Sequence, residues 1–91
     1  MNKSELIEAL ATAADLPTRE ASSITETIFD AMRDALVRGE SIEIRGFGSF
    51  MVKEYDSYYG RNPKTGEKIK VSPKRLPFFK VGKELKAKVN C

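Results

Sequence analysis

The sequence predicts an α+β fold: an N-terminal helical hairpin, a three-stranded antiparallel sheet with a long β-ribbon arm, and a short C-terminal helix. Three observations predict it. Apolar residues recur every three or four positions as far as residue 38, and every second position from Ser41. A segment poor in apolar residues, 53–75, interrupts the strands, and its middle reads GRNPKTGEK, a run of turn formers among basic residues. The last residues return to a helical pattern.

Two helices are predicted in the first half of the chain. Apolar side chains recur at helical spacing over residues 3–14, where Asn2 or Ser4 is expected to cap the start. A second helix is expected from Thr18, as its cap, to about residue 38, and Gly39 is expected to end it. The broad apolar face of this second helix needs more than one neighbour to cover it.

The first two strands are predicted to form a hairpin. Side chains alternate over residues 42–45, with isoleucines on one side and Glu43 and Arg45 on the other. Residues 46–48, Gly-Phe-Gly, are expected to turn the chain. The alternation then resumes over residues 50–52.

The rest of the chain is predicted as an arm, a third strand and a helix. The arm, residues 53–75, carries seven basic and three acidic side chains and too few apolar ones to form a core. We expect it to protrude and to be mobile until it meets a partner. Lys68 and Lys70 are predicted to share one face of its descending strand. A third strand is expected over residues 76–80, bounded by prolines, and a helix over residues 82–90.

Length and composition limit the possible functions. With 91 residues, 41% hydrophobic and 32% charged, the chain is expected to be one small domain, residues 1–91, whose marginal stability a dimer would relieve. It has no run of 18 apolar residues, and its first residues are polar, so we expect neither a transmembrane helix nor a signal peptide. Cys91 is its only cysteine, which fits a reducing cytosol. Because histidine and nucleotide-binding glycine motifs are absent from the sequence, we expect no enzyme, no cofactor and no metal site.

The charges are unevenly distributed along the chain. Residues 1–40 hold four basic and eight acidic side chains, net −4, and residues 41–91 hold twelve basic and five acidic ones, net +7, which together give the net charge of +3. This distribution favours either a polyanion-binding half on an ordinary scaffold or a solvated lysine-rich surface. Cations spread along an arm suit the phosphates of a nucleic acid backbone.

Two features of the arm have two interpretations each. Tyr55, Tyr58 and Tyr59 either stack on single-stranded bases or cover the base of the ribbon. Pro63, after Asn62, either serves only to start a turn or enters between base pairs and unstacks them. The two interpretations of Pro63 are compatible, because the turn is what would present the ring.

Three motifs closely resemble the HU/IHF family of bacterial architectural DNA-binding proteins: IEIRGFGSF at 42–50, GRNPKTGEKI at 60–69 and FKVGKEL at 79–85. In this order they are highly specific, and the resemblance covers essentially the whole chain. It implies an intertwined dimer, of the chain with itself or with a paralogous subunit, in which residues 1–40 form the dimerisation body. Two arms would hold double-stranded DNA in its minor groove and bend it. It also implies a role in organising the nucleoid, in the cytoplasm.

The resemblance further implies roles for individual residues. Pro63 would intercalate between base pairs, and Phe47, Phe50 and Phe79 would belong to the shared core of the dimer. The implied DNA contacts are Arg61, Asn62 and Lys64 at the tip; Lys53, Lys68, Lys70, Lys74 and Arg75 on the arm and saddle; and Lys3, Lys80, Lys83 and Lys86 at the flanks. Glu54 and Asp56 depart from the family's basic ascending strand, so we expect either weaker attraction of phosphates by that strand or a shift of phosphate contacts onto the descending strand.

Glu43 and Arg45 bear on the subtype within the family. In the β subunit of IHF a matching acid–arginine pair helps to recognise a preferred sequence, whereas the same residues are equally well explained as a surface ion pair. The sequence therefore leaves open an HU-like nonspecific protein and an IHF-like site-preferring one. It also leaves open a different class of function, a dimeric module that pairs the edge of its ribbon with another protein.

Overall fold

A computed structural model describes residues 1–90, so the single cysteine, Cys91, lies outside the described residues. The predicted α+β class is confirmed. The described residues fall into two compact units, residues 1–35 and the residues from 36 onward. The elements in chain order are α1 (Lys3–Ala14), α2 (Thr18–Val37), β1 (Ile42–Ile44), β2 (Gly48–Tyr55), β3 (Tyr58–Arg61), β4 (Lys68–Val71), β5 (Lys74–Val81) and α3 (Lys83–Val89).

Helix α1 has the predicted bounds, and its ends are set by local hydrogen bonds. The Asn2 side chain accepts from the Glu5 N–H at 2.9 Å, so Asn2 is the N-cap and Ser4 lies within the helix. At the other end Asp15 takes the left-handed conformation, φ 52°, and its N–H donates to carbonyls of the last turn.

Helix α2 corrects one detail of the prediction. Thr18 is the first helical residue rather than the cap, because the Pro17 carbonyl accepts the first helical bond from the Ala21 N–H, at 3.1 Å. Gly39 follows the helix with φ 83°, the conformation for which glycine was expected. Ala21 and Thr25 are the buried residues of α2, and the Thr25 hydroxyl donates to the Ala21 carbonyl at 2.8 Å.

The main sheet has the strand order β1–β2–β5 and is antiparallel throughout. The turn between β1 and β2 is closed by a bond of 3.0 Å from the Phe47 N–H to the Ile44 carbonyl, with Gly46 at φ 84°. The Phe79 ring centroid lies 4.7 Å from that of Phe50 and 5.6 Å from that of Phe47. The three phenylalanines predicted as shared core therefore form one cluster on one side of this sheet.

Strand β5 is longer than predicted and contains Pro77, which was expected to bound it. It pairs only with β2, and Pro77 lies opposite Val52. A proline is tolerated there because an edge strand has one row of N–H groups without a strand partner. Helix α3 follows directly, with Gly82 as its N-cap, and the Gly82 N–H donates to the Phe47 carbonyl at 2.8 Å.

Strands β3 and β4 form the outer arm as a separate two-stranded ribbon. Two residues on each strand, 56–57 and 72–73, lie between this ribbon and the β2–β5 ladder. The ladder ends at Tyr55 opposite Lys74, and the ribbon begins at Tyr58 opposite Val71. The ascending and descending segments each have two unpaired residues at this point, so the pairing register of the ribbon is the same as that of the sheet.

Much of the apolar surface of the single chain is uncovered. Among residues 1–90 Ala21 is the only buried hydrophobic residue, and Ile28 is 52% exposed, Phe47 44% and Phe79 37%. Between α1 and α2 lies an open apolar cleft of about 190 Å³, lined by Leu6, Leu10, Thr25, Ile28 and Phe29. Exposed apolar surface of this kind is typical of an interaction site.

Gly48, at the start of β2, has no room for a side chain. A Cβ there would lie 2.5 Å from the Lys80 carbonyl oxygen and 2.6 Å from the Phe79 ring. We expect Gly48→Ala to reduce the free energy of unfolding by about 1–3 kcal/mol or more, because the backbone of β5 has to move. Gly60→Ala is the control, since its Cβ would meet side chains only at 3.9 Å or beyond. Equal denaturant midpoints for the two variants would contradict this expectation.

Candidate nucleic-acid interface

The outer arm has one face that is mostly basic. In antiparallel strands, directly opposed residues and alternate residues along each strand share a face. Arg61 lies opposite Lys68, and Tyr59 lies opposite Lys70. The predicted pairing of Lys68 and Lys70 on one face is therefore confirmed, and the register adds Arg61 and Tyr59 to them.

The same face continues down to the sheet, because the register does not change along the arm. Opposed pairs lower on this face include Tyr55 with Lys74, and Ser49 with Lys80. The basic members are exposed. Together they form what we call the cationic face, which consists of Lys53, Arg61, Lys68, Lys70, Lys74 and Lys80.

Two lysines of the cationic face lie near aromatic rings. The Lys53 Nζ lies 3.6 Å from the centroid of the Phe78 ring, and the Lys74 Nζ lies 6.0 Å from that of Tyr55. Contacts between an ammonium and a ring face are attractive within about 6 Å. Phe78 was not singled out in the sequence. The sequence pattern that could have indicated Phe78 is its position two residues before Lys80, which places both residues on one face of the same strand.

Glu54, the acidic residue of the arm that lies within a strand, is on the other face. Glu54 is directly opposite Arg75, and its Oε1 lies 3.5 Å from the Arg75 Nε. Asp56 lies between β2 and β3, outside both strands, and this face of the outer arm carries Tyr58 opposite Val71. Glu54, one of the two carboxylates of the ascending segment, therefore does not share a face with these cations.

Arg75 is not brought together with the other predicted phosphate contacts. It lies on the face opposite to Lys74, and Glu54 is its ion-pair partner. A Cβ on Gly39, which follows α2, would lie 3.2 Å from the Arg75 guanidinium. Arg75 thus lies close to both Glu54 and Gly39, while its sequence neighbour Lys74 lies on the cationic face.

The tip of the arm is a closed turn that presents Pro63. The Gly66 N–H donates to the Asn62 carbonyl at 2.7 Å, and the Asn62 N–H donates to the Glu67 carbonyl at 2.9 Å. The Asn62 side chain accepts from the Lys64 N–H at 2.9 Å. Gly66 has φ 72°, as the turn was predicted to need, and both Pro63 and Lys64 are exposed.

Glu43 and Arg45 were predicted to lie on the same strand, and this prediction is wrong. Glu43 lies on β1 opposite Ser49, which places it on the side of the sheet that carries Lys80. Strand β1 ends at Ile44, and Arg45 lies in the turn, because the turn bond to Phe47 closes there. Neither residue takes part in an ion pair within residues 1–90.

The remaining predicted contacts lie away from the arm. Lys83 and Lys86 are exposed on α3. Lys3, in the helical unit, is within ion-pair distance of Glu26, so a phosphate would have to compete with that carboxylate. Within residues 1–90 no group of three or more His, Cys, Asp or Glu side chains is arranged to hold a metal ion. None of the helices described is long and apolar enough to span a membrane.

Comparison with known proteins identifies a family and close relatives for the chain. The family described as "Bacterial DNA-binding protein" matches residues 1–90. The integration host factor subunit beta of Histophilus somni (strain 2336) is 52% identical over 91 residues, which are 99% of this chain and 97% of that protein. The chain is a member of the HU/IHF family.

Other HU/IHF relatives are similar to this chain over nearly all of its length. The DNA-binding protein HU 1 of Bacillus subtilis is 45% identical over 86 residues, 94% of each chain. Among solved structures, an Anabaena HU–DNA cocrystal structure is 36% identical, with a TM-score of 0.86 and 98% of this chain and 97% of that chain covered. HU from Thermotoga maritima is 35% identical, with a TM-score of 0.70 and 98% of each chain covered. The family suggested by the three sequence motifs is thus confirmed.

Proposed function

We propose that the chain is one subunit of a dimeric architectural protein that binds and bends double-stranded DNA with its two arms. The observation that carries the proposal is the cationic face, which places six basic side chains on one side of the arm and of the sheet that it extends, with Glu54 on the other side. The HU relative solved together with DNA supports the same partner. The proposed role is binding alone, without catalysis or cofactor, in the nucleoid of the cytoplasm.

The cationic face is proposed to lie along the minor groove. Phosphates of the two strands flank that groove, and each lysine or arginine that neutralises one releases condensed counterions. Lys64, Lys83 and Lys86 extend the footprint beyond the face, and Lys3 joins it when it leaves Glu26. Arg75 is proposed to contribute less than Lys74, because it lies on the opposite face, beside Glu54.

Pro63 is proposed to act as a wedge between base pairs. HU and IHF are themselves among the proteins for which apolar wedges in the minor groove are described. Here the tip holds the ring at the exposed end of the arm, in a turn closed by hydrogen bonds through Asn62. Arg61 and Lys64 flank it and would contact the phosphates beside the opened step.

A second subunit is proposed to cover the apolar surface that one chain leaves exposed. The uncovered residues include the Phe47, Phe50 and Phe79 cluster and the cleft between α1 and α2. The partner is either a second copy or a paralogous subunit. Sedimentation of the purified protein at micromolar concentration tests this, because a folded monomer alone would exclude the homodimer.

The IHF β relative shares 52% identity and the HU relative 45%, so we favour IHF-like site preference. Glu43 and Arg45 are the residues proposed to contribute to it, since a carboxylate accepts from a cytosine amino group and arginine contacts groove edges. Preference for deformable sequences would act without base contacts. The alternative of a protein-binding ribbon has the acidic arm residues as its support, and the larger number of basic residues on the cationic face favours DNA over it.

The experiment that tests the function is binding to random, nicked and bent duplexes over a salt series. We expect binding to all three at low salt, with the logarithm of affinity falling linearly with the logarithm of salt concentration. A site-preferring protein would separate random from specific sequences, and a structure-preferring one would separate intact from nicked DNA. Unchanged mobility of every duplex in dilute buffer would exclude the proposal.

The two faces of the arm make a further prediction. At about 0.15 M salt, where charges are screened over ~8 Å, Glu54→Gln is expected to change the dissociation constant by less than about twofold. Tyr55→Glu adds a carboxylate to the cationic face beside Lys74. We expect this added negative charge to weaken binding by about tenfold or more. Equal effects of the two replacements on duplex affinity would contradict the assignment of faces.

A further inference from the structure

Lys53 and Phe78 form a close contact on the cationic face. The Lys53 Nζ lies 3.6 Å from the Phe78 ring centroid, well inside the range in which a ring attracts a cation. The contact follows from the register: Met51 lies opposite Phe78 and Lys53 lies opposite Leu76, so the two side chains are diagonal neighbours. The second lysine–ring pair, Lys74 with Tyr55, is separated by 6.0 Å.

The ring is the partner that the described structure gives to Lys53. No carboxylate forms an ion pair with it within residues 1–90. Glu54, the next residue, lies on the opposite face with Arg75. A ring face attracts the ammonium without supplying a hydrogen-bond acceptor, so the N–H donors of Lys53 remain free for a phosphate.

We propose that Phe78 is a positioning residue for DNA binding, which holds the Lys53 ammonium on the cationic face ready to contact a phosphate. The proposal rests on the function proposed above. A lysine side chain loses much rotamer freedom when it is fixed in an interface, and that loss opposes binding. The ring imposes part of the restriction before DNA arrives, so less freedom is lost on contact.

The first test is made on the wild-type protein without DNA. Protons above a ring face are shielded, so we expect the ε-methylene signals of Lys53 to lie upfield of those of Lys68 and Lys70 in the assigned proton spectrum. The shift is expected to persist in Phe78→Tyr and to vanish in Phe78→Leu. Signals of Lys53 that coincide with those of the other lysines in the wild type would overturn the proposal, whether or not any variant folds.

The second test is a double-mutant cycle on duplex binding at fixed salt. Phe78→Leu is expected to weaken binding by about two- to fivefold, whereas the same change in a Lys53→Met background is expected to have no further effect. Phe78→Tyr keeps the ring and is expected to restore affinity. Met51→Leu, an apolar change on the same face without loss of a ring, is the control for general repacking.

The outcomes separate a positioning role from a structural one. An equal loss of affinity from Phe78→Leu in both backgrounds would overturn the proposal, because Phe78 would then not act through Lys53. Absence of duplex binding by the wild type would overturn the proposed function and this role together. That failure is distinguishable, since the wild-type affinity is measured before any variant and the Lys53 signals are measured without DNA.

Discussion

Pro63→Ala is expected to remove most of the DNA bend and to leave most of the DNA affinity. The ring is the apolar group at the exposed tip, and alanine is too short to hold a base step open. The cationic face is unchanged by the replacement, so we expect binding to weaken by less than about tenfold. Circularisation of short duplexes measures the bend, and titration of the same duplex measures the affinity.

Pro63→Leu is the matched variant for this prediction. Leucine is also found as an apolar wedge in minor-groove proteins, so it is expected to restore part of the bend. The turn itself tolerates both changes, because its hydrogen bonds come from Asn62 and Gly66 rather than from Pro63. If Pro63→Ala circularised DNA as efficiently as the wild type, the wedge would be excluded while the cationic face remained.

The double replacement Lys68→Ala with Lys70→Ala is expected to weaken binding to all sequences and to flatten its salt dependence. The two residues are adjacent on the cationic face, so a dimer would lose four phosphate contacts. Each contact contributes about 0.9 to the slope of log affinity against log salt, which makes the expected change about 3.6. When the salt concentration is lowered from 200 to 50 mM, the affinity of the wild type is therefore expected to rise about 100-fold more than that of the variant.

A charge-matched control separates this local effect from the effect of net charge. Arg19→Ala with Arg33→Ala removes the same charge from α2, and we expect its salt slope to stay close to that of the wild type. A slope for the Lys68 and Lys70 variant that equals the wild-type slope would remove these residues from the phosphate footprint. A slope that falls equally in both double variants would show that total charge, not the cationic face, governs affinity.

The local elements were predictable because they depend on neighbours along the chain. Asn2 caps α1, Gly39 follows α2 with positive φ, and Gly66 takes the positive φ that the tip needs, all as expected. The extent of β5 was not predictable in this way, because it depends on the place of the strand in the sheet. Pro77 was expected to stop a strand, but β5 is an edge strand and tolerates the missing N–H.

The composition of the candidate interface was only partly predictable. That Lys68 and Lys70 share a face follows from the period of a strand, and the structure confirms it. Which ascending residues join them depends on the pairing of the two strands. The pairing places Tyr59 and Arg61 beside these lysines and places Glu54 on the other side.

The amino-acid sequence by itself determined the helices, the strands, the turn at Asn62 and the family, since periodicity, turn chemistry and motif order are properties of nearby residues. The tertiary structure decided that Lys74 belongs to the cationic face and Arg75 does not, and that Phe78 lies under Lys53. The physical reason is that a face of a ribbon is defined by two strands at once. If the two strands were paired one residue out of register, Glu54 would lie on the same face as the lysines of the descending strand.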